Sequence, residues 1–184
     1  MPTSDFAIDL NADSGASQVR AARWRFVCVD LLAVAFVLWS GSALPDIAAT
    51  HFGGSGHANG WMARQHYLAF MAGLVVALPV LVAFVPLVAR TGRSARVNLP
   101  NCEFWLAPRQ RPATLAWLSC HMARCAMLLA VFLATMHWLV VRANEQSPPH
   151  LEALPFVTAL VVFLLVLVTW TNSLARHFRL PQRI

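Results

Sequence analysis

The chain has 184 residues, 58% of them hydrophobic and 12% charged, with mean hydropathy +0.58. A charged share so far below the roughly 25% of ordinary soluble domains excludes a soluble globular protein and indicates an integral membrane protein. Its formal charge of +6 rests on arginine alone, since no lysine occurs. The arginines cluster at the ends of apolar segments rather than on one face with interleaved aromatics, which argues for topology signals and against a nucleic-acid partner.

Residues 1–19 are polar and acidic without a sustained period, and are expected to form a flexible cytoplasmic tail. Residues 20–184 are expected to form a single membrane domain. Arg20, Arg23 and Arg25 precede a long apolar stretch, an order that does not fit a cleaved secretory signal. Four apolar segments follow: Phe26 to Leu44, about Tyr67 to Ala89, about Leu115 to Val141, and about Leu154 to Ala175. Each is near the roughly 20 residues a helix needs to cross about 30 Å of hydrocarbon. Pro79 and Pro86 predict a kink in the second.

Arginines flank the first segment's start, fill the second connection (Arg90, Arg93, Arg96, Arg109, Arg111) and follow the fourth segment (Arg176, Arg179, Arg183). The first and third connections carry only Arg64 and Arg142. The positive-inside rule then places both termini in the cytoplasm. The expected fold is an all-α integral membrane protein with four transmembrane helices and an ordered extracytoplasmic loop over residues 44–66.

The four cysteines, Cys28, Cys102, Cys120 and Cys125, fall at or near the cytoplasmic side in this topology, so a disulfide framework is not expected. The second connection includes NLPNCEFWLAP, with Phe104, Trp105 and Leu106 between two prolines. Residues 98–112 therefore read as a cytoplasmic interfacial element lying among headgroups, with Asn98, Pro100, Asn101, Trp105 and Pro108 as its marking residues.

The outer loop, LPDIAATHFGGSGHANGWMARQHY, is the most informative stretch. His51, His57 and His66, joined by His137 and His150, put imidazoles on one side, and Asp46 offers an oxygen. Their spacing lacks the i, i+4 geometry of a helical zinc motif, so no metal or other cofactor is expected; His51 is read as pinning the loop, with His57 and His150 solvated. Gly53, Gly54 and Gly56 have no following lysine and no strand-to-helix context, which removes a phosphate loop. They are expected to permit positive φ, and Asn59-Gly60 to make the tight turn that rests Trp61 at the membrane surface.

The order Leu44-Pro45-Asp46, Thr50-His51-Phe52, Gly56, Asn59-Gly60-Trp61 resembles the signature of the bacterial membrane family DUF1648, over about residues 30–80. The Asn98 to Pro108 stretch is similar to an element that accompanies that domain. The family includes SdpI-like immunity proteins, which protect a producing cell from its own secreted peptide toxin and take part in signalling. The resemblance implies a non-enzymatic, multi-pass protein of the bacterial cytoplasmic membrane. Its outer loop (Pro45, Asp46, Thr50, His51, Phe52, Gly56, Asn59, Gly60, Trp61) would engage a peptide, lipid or partner protein. The alternatives are an accessory subunit of a larger membrane complex docking through residues 98–112, and a metal-dependent enzyme or transporter. No hydrolase triad stands in recognisable context.

Within the membrane, Asp30 and Arg124 lie at matching depth and are expected to pair, with His121 and Asn172 completing an intramembrane polar cluster. That cluster reads as a clamp between helices or as a relay; snorkelling of Arg124 to the interface would end both readings. Small residues at Ser40, Gly41 and Ser42 and at Ala69, Ala72 and Gly73 offer faces for a homo-oligomer.

Overall fold

The structure is a computed structural model that describes residues 4–90 and 100–179, with the backbone alone for residues 4–14 and 87–90. Asn98, Arg93, Arg96 and Arg183 lie outside the described residues. Chain order is α1 (Ser4–Gly41), β1 (Ile47–Phe52), β2 (Ala58–Ala63), α2 (Arg64–Arg90), α3 (Cys102–Trp105), α4 (Arg111–Asn144) and α5 (Ala153–His177).

The organising helix is α4, which packs against α1, α2 and α5. Its Ala123, Ala126 and Ala130 are buried and recur at helical spacing, so their small side chains let the α1 backbone come close. The α1 contacts climb α4 in the same direction: Phe26 meets Ala123 and Ala126, and Ser40 meets His137, so the two helices run parallel. The α2 and α5 helices run against α4, since Tyr67 reaches His137 while Val82 packs by Leu118, and Phe163 stacks on Phe132 while Trp170 meets His121. Pro112 occupies the first turn of α4, where a missing N–H breaks no helical bond. Arg176 lies in the last turn of α5, where positive charge suits the helix dipole.

Among the described residues three helices are long and apolar enough to cross a membrane: Arg64–Pro86, Arg111–Asn144 and Ala153–His177. α5 buries none of its residues against the rest of the chain, and α1 turns Leu31, Leu32 and Trp39 outward. Such apolar exteriors are suited to hydrocarbon rather than water.

Two expectations are corrected. The chain is mostly helical but not all-α, because the loop between α1 and α2 folds into an antiparallel hairpin with Ile47 opposite Ala63 and Ala49 opposite Trp61. The hairpin turns at Gly53 to Gly56, closed by a 2.9 Å bond from Gly56 N–H to Gly53 O, and not at Asn59-Gly60, which lies inside β2 at a register irregularity facing His51. Gly56 alone of the loop glycines has positive φ, +82°. The helix α1 begins at Ser4 and continues without a break into its apolar part. Once a packed helix supplies the nucleus, adding a residue costs only its propensity, and residues 16–25 include good helix formers.

Candidate functional site

The hairpin is fastened at three points, its base, the β1 edge and its tip, above a buried clamp between the helices. At its base, Arg64 is the first residue of α2, and its backbone N–H donates to Asp46 O (2.9 Å). Its guanidinium donates to Leu44 O (2.8 Å) and meets the Asp46 carboxylate at 2.9 Å, so entry and exit of the loop are held together. The Asp46 side chain is 92% exposed, so the carbonyl bond matters more than the ion pair.

The free edge of β1 is covered by one side chain. Asn144, at the end of α4, accepts from Ala49 N–H through Oδ1 (2.8 Å) and donates through Nδ2 to Ala49 O (2.8 Å) and Val140 O (2.9 Å). Its carboxamide thus replaces a neighbouring strand and leaves none of its donors idle.

Beneath the hairpin, His137 is completely buried. Ser40 donates its hydroxyl proton to Phe36 O (2.6 Å), so it accepts from His137 Nε2–H at 3.1 Å. The opposite nitrogen, Nδ1, then accepts from Tyr67 O–H at 3.1 Å. One imidazole joins α1, α2 and α4, and every proton has a place. Gly41 sits beside it, where an added Cβ would displace the Leu68 side chain and meet His137 Cε1 at 3.3 Å.

The hairpin tip is held by the connection between α4 and α5. Leu151 N–H donates to Gly56 O (2.8 Å), and the His57 and His150 rings lie 5.0 Å apart across an isolated bridge. A Cβ on Gly56 would stand 2.5 Å from Leu151 O, which explains glycine there independently of its φ. His51 bonds through Nδ1 to Asn59 Oδ1 across the hairpin. A Cβ on Gly60 would meet the His51 Cβ at 2.9 Å.

The outward histidines therefore separate. His137 is a buried clamp, His51 holds Asn59, His57 faces His150, and His66 is exposed on α2. Among the described residues no three ligand-type side chains converge on a point that could hold a metal ion.

What the hairpin leaves outward is apolar and backbone. Ile47 is 68% exposed, Trp61 56% and Met62 38%. Because Ala49 gives both backbone groups to Asn144, it faces Trp61 as a non-hydrogen-bonded pair, and alternation turns the Trp61 N–H and C=O to the outer edge of β2. No further strand pairs with that edge among the described residues.

At the opposite end of α4 the polar groups are arranged differently. His121 is sandwiched between Trp117 (4.4 Å between ring centroids) and Trp170 (4.6 Å), and His177 stacks on Trp117 at 3.7 Å. Trp170 Nε1 donates to His121 O (3.1 Å), and His121 Nε2 donates to Trp170 O (3.3 Å). The Phe178 carbonyl accepts from Asn101 Nδ2 (2.9 Å) and Trp105 Nε1 (3.1 Å), so the segment expected at the interface is a clasp on the end of α5. Asn101 reaches it from a left-handed backbone (φ 55°, ψ 39°). Pro100 and Pro108 are exposed at its margins.

The intramembrane polar cluster does not assemble as expected. Asp30 is buried, yet among the described residues its Oδ1 has no hydrogen-bond partner and no ion pair links it to Arg124. Arg124 is exposed because it lies one residue, and so about 100° of helix, beyond the buried Ala123. Asn172 is exposed on α5, and His121 belongs to the aromatic stack with its Nδ1 unpartnered. Equal depth did not bring equal azimuth.

The segment that contains the hairpin also matches a known family. Residues 29–77 match the family model DUF1648, a domain of unknown function. No curated protein and no solved structure matches the chain. The DUF1648 match takes in the apolar part of α1 from Val29, the whole hairpin and the first half of α2, while the clamps His137 and Asn144 lie outside it on α4. Most residues of the DUF1648-like motif build the hairpin: Asp46 binds Arg64, His51 binds Asn59, Gly56 and Gly60 admit close backbone, and Thr50 and Phe52 are half-buried in β1. Pro45 is exposed at the base, and Trp61 is the large side chain of the motif that is left outward.

Proposed function

We propose that the protein is a non-enzymatic receptor or immunity-type membrane protein whose hairpin binds an extended peptide or partner segment along β2. The observation that carries this reading is the open outer edge of β2, with Trp61 and Met62 exposed beside it and β1 already capped by Asn144. An unpaired edge with adjacent apolar side chains is the arrangement that strand addition uses, main-chain bonds supplying affinity and flanking pockets selectivity. The resemblance of the loop motif to DUF1648, whose members include SdpI-like immunity proteins, is consistent with it, and the DUF1648 match itself carries no function.

The same proposal takes α1 as a fourth span. Its support is geometric: α1 runs beside α4 at the level of Ala123 to His137, so a bilayer that contains α4 must contain that part of α1 as well. With the arginine-rich ends inside, the hairpin faces outward and both termini lie in the cytoplasm of a bacterial cell. Cysteine substitutions in a background without native cysteines test this arrangement. Ser55→Cys is expected to react with a membrane-impermeant maleimide on intact cells, and Gln18→Cys only after permeabilisation; the reverse pattern would overturn the orientation.

The binding reading is tested by a photo-crosslinking residue at Met62, with Leu165 on the apolar exterior of α5 as control. A discrete peptide or protein adduct at Met62, missing at Leu165 and lost on Trp61→Ala, is expected. Lipid adducts alone at both positions would mean that Trp61 is only a headgroup anchor. The accessory-subunit reading is less well supported, since Asn101 and Trp105 of its docking segment are occupied by the chain's own Phe178 carbonyl.

A further inference from the structure

A cleft of about 1190 Å³ lies away from the hairpin between α1 and the start of α4. Its α1 wall is a helical stripe of Ala16, Val19, Arg20, Arg23 and Val27, and its other wall brings Arg109, Arg111, Leu115 and Ala116. Among the described residues no carboxylate lines it. The first turn of α4 also carries no acidic residue, so its helix dipole adds positive potential at the same place.

The position of the cleft narrows the occupant. Arg20 and Arg23 stand just before the apolar part of α1 begins at Phe26, and Arg109 and Arg111 just before the apolar part of α4. The guanidinium groups therefore stand where apolar wall gives way to polar wall, with Val27 and Leu115 continuing toward the hydrocarbon. Trp24, 65% exposed at the rim, is the residue type that anchors at this level. Guanidinium groups bind phosphate oxygens through paired, charge-assisted hydrogen bonds.

We infer that this cleft is a binding site for an anionic phospholipid, its phosphodiester held by Arg20, Arg23 and Arg109 and an acyl chain laid along Val27 and Leu115. A free phosphate would satisfy the arginines but leave the apolar wall uncovered, which is why the lipid is the better occupant. Basic pockets at helix ends recognise anionic headgroups in this way. The inference stands independently of what the hairpin binds.

Native mass spectrometry of the full chain in mild detergent tests it, with phosphatidylglycerol and phosphatidylcholine of identical acyl chains as probes. Phosphatidylglycerol is expected to be retained at least about fivefold better. Arg20→Gln with Arg23→Gln is expected to abolish that preference, Arg109→Gln alone to weaken it, and Arg176→Gln with Arg179→Gln, which removes equal charge outside the cleft, to preserve it. Glycerol phosphate added at the lipid's concentration is expected not to displace it. Equal retention of the two lipids, equal loss in both double variants, or displacement by glycerol phosphate would each overturn the assignment. Thermal unfolding of each variant separates a lost site from a lost fold.

Discussion

The two ends of α4 handle buried polarity in opposite ways. At the hairpin end, His137 and Asn144 use their donors and acceptors fully, each bridging elements far apart in sequence. At the arginine end, Asp30 Oδ1 and His121 Nδ1 are buried without partners among the described residues, and a wide cleft separates α1 from the first turn of α4. A satisfied polar network in a low-dielectric interior stabilises one geometry, whereas an unsatisfied group contributes only its desolvation cost. The hairpin end is accordingly a built platform, and the opposite end is open.

Removing polar groups from each end makes this difference measurable. The largest effect is expected for His137→Ala, which leaves the Ser40 and Tyr67 hydroxyls short of a partner and opens a void among three helices. A loss of about 2–4 kcal/mol in denaturant or thermal unfolding is expected, scaled down from water because unfolded segments in a membrane also find partners. Gly56→Ala follows. Left-handed φ costs a non-glycine residue about 1–2 kcal/mol, and the added carbon meets the Leu151 carbonyl, so the hairpin tip should separate from the last connection and lose protection in amide exchange.

Asn144→Ala is expected to cost about 1–2 kcal/mol and to act locally, raising exchange at Ala49 while leaving α1 and α2 packed. The smallest change, with the opposite sign, is expected for Asp30→Leu. Replacing a buried carboxyl whose Oδ1 has no partner among the described residues by an apolar side chain should leave the unfolding midpoint unchanged or raise it. A destabilisation of Asp30→Leu as large as that of His137→Ala would remove the contrast between the two ends.

Apolar runs predict the helices and their order, because a spanning helix needs only length and hydrophobicity. Leu44, the expected end of the first helix, lies beyond Gly41, buried and with its carbonyl bound by Arg64. The hairpin was harder to see. IAATHF and ANGWMA lack clean alternation, and β1 is stabilised by Asn144, 95 residues from Ala49. Asn59-Gly60 carried the stronger turn signal, but Asn59 is engaged by His51 and the glycines at 53, 54 and 56 make the turn cheaper nearby.

Sequence depth places His137 with the outward histidines, since depth alone does not say whether a ring faces water or two hydroxyls. The Trp117 and His121 spacing of four residues signals one helix face, which is the face of the aromatic stack.

The most direct test of a prebuilt platform with one open edge is residue-resolved amide exchange of the protein in nanodiscs without any ligand. Ala49 N–H, held by Asn144, is expected to be strongly protected, while Trp61 N–H on the outer edge of β2 exchanges fast, and binding of a peptide should slow Trp61 alone. Equally fast exchange at Ala49 and Trp61 would mean that the hairpin is not formed before binding, and equally slow exchange would mean that the β2 edge is already covered.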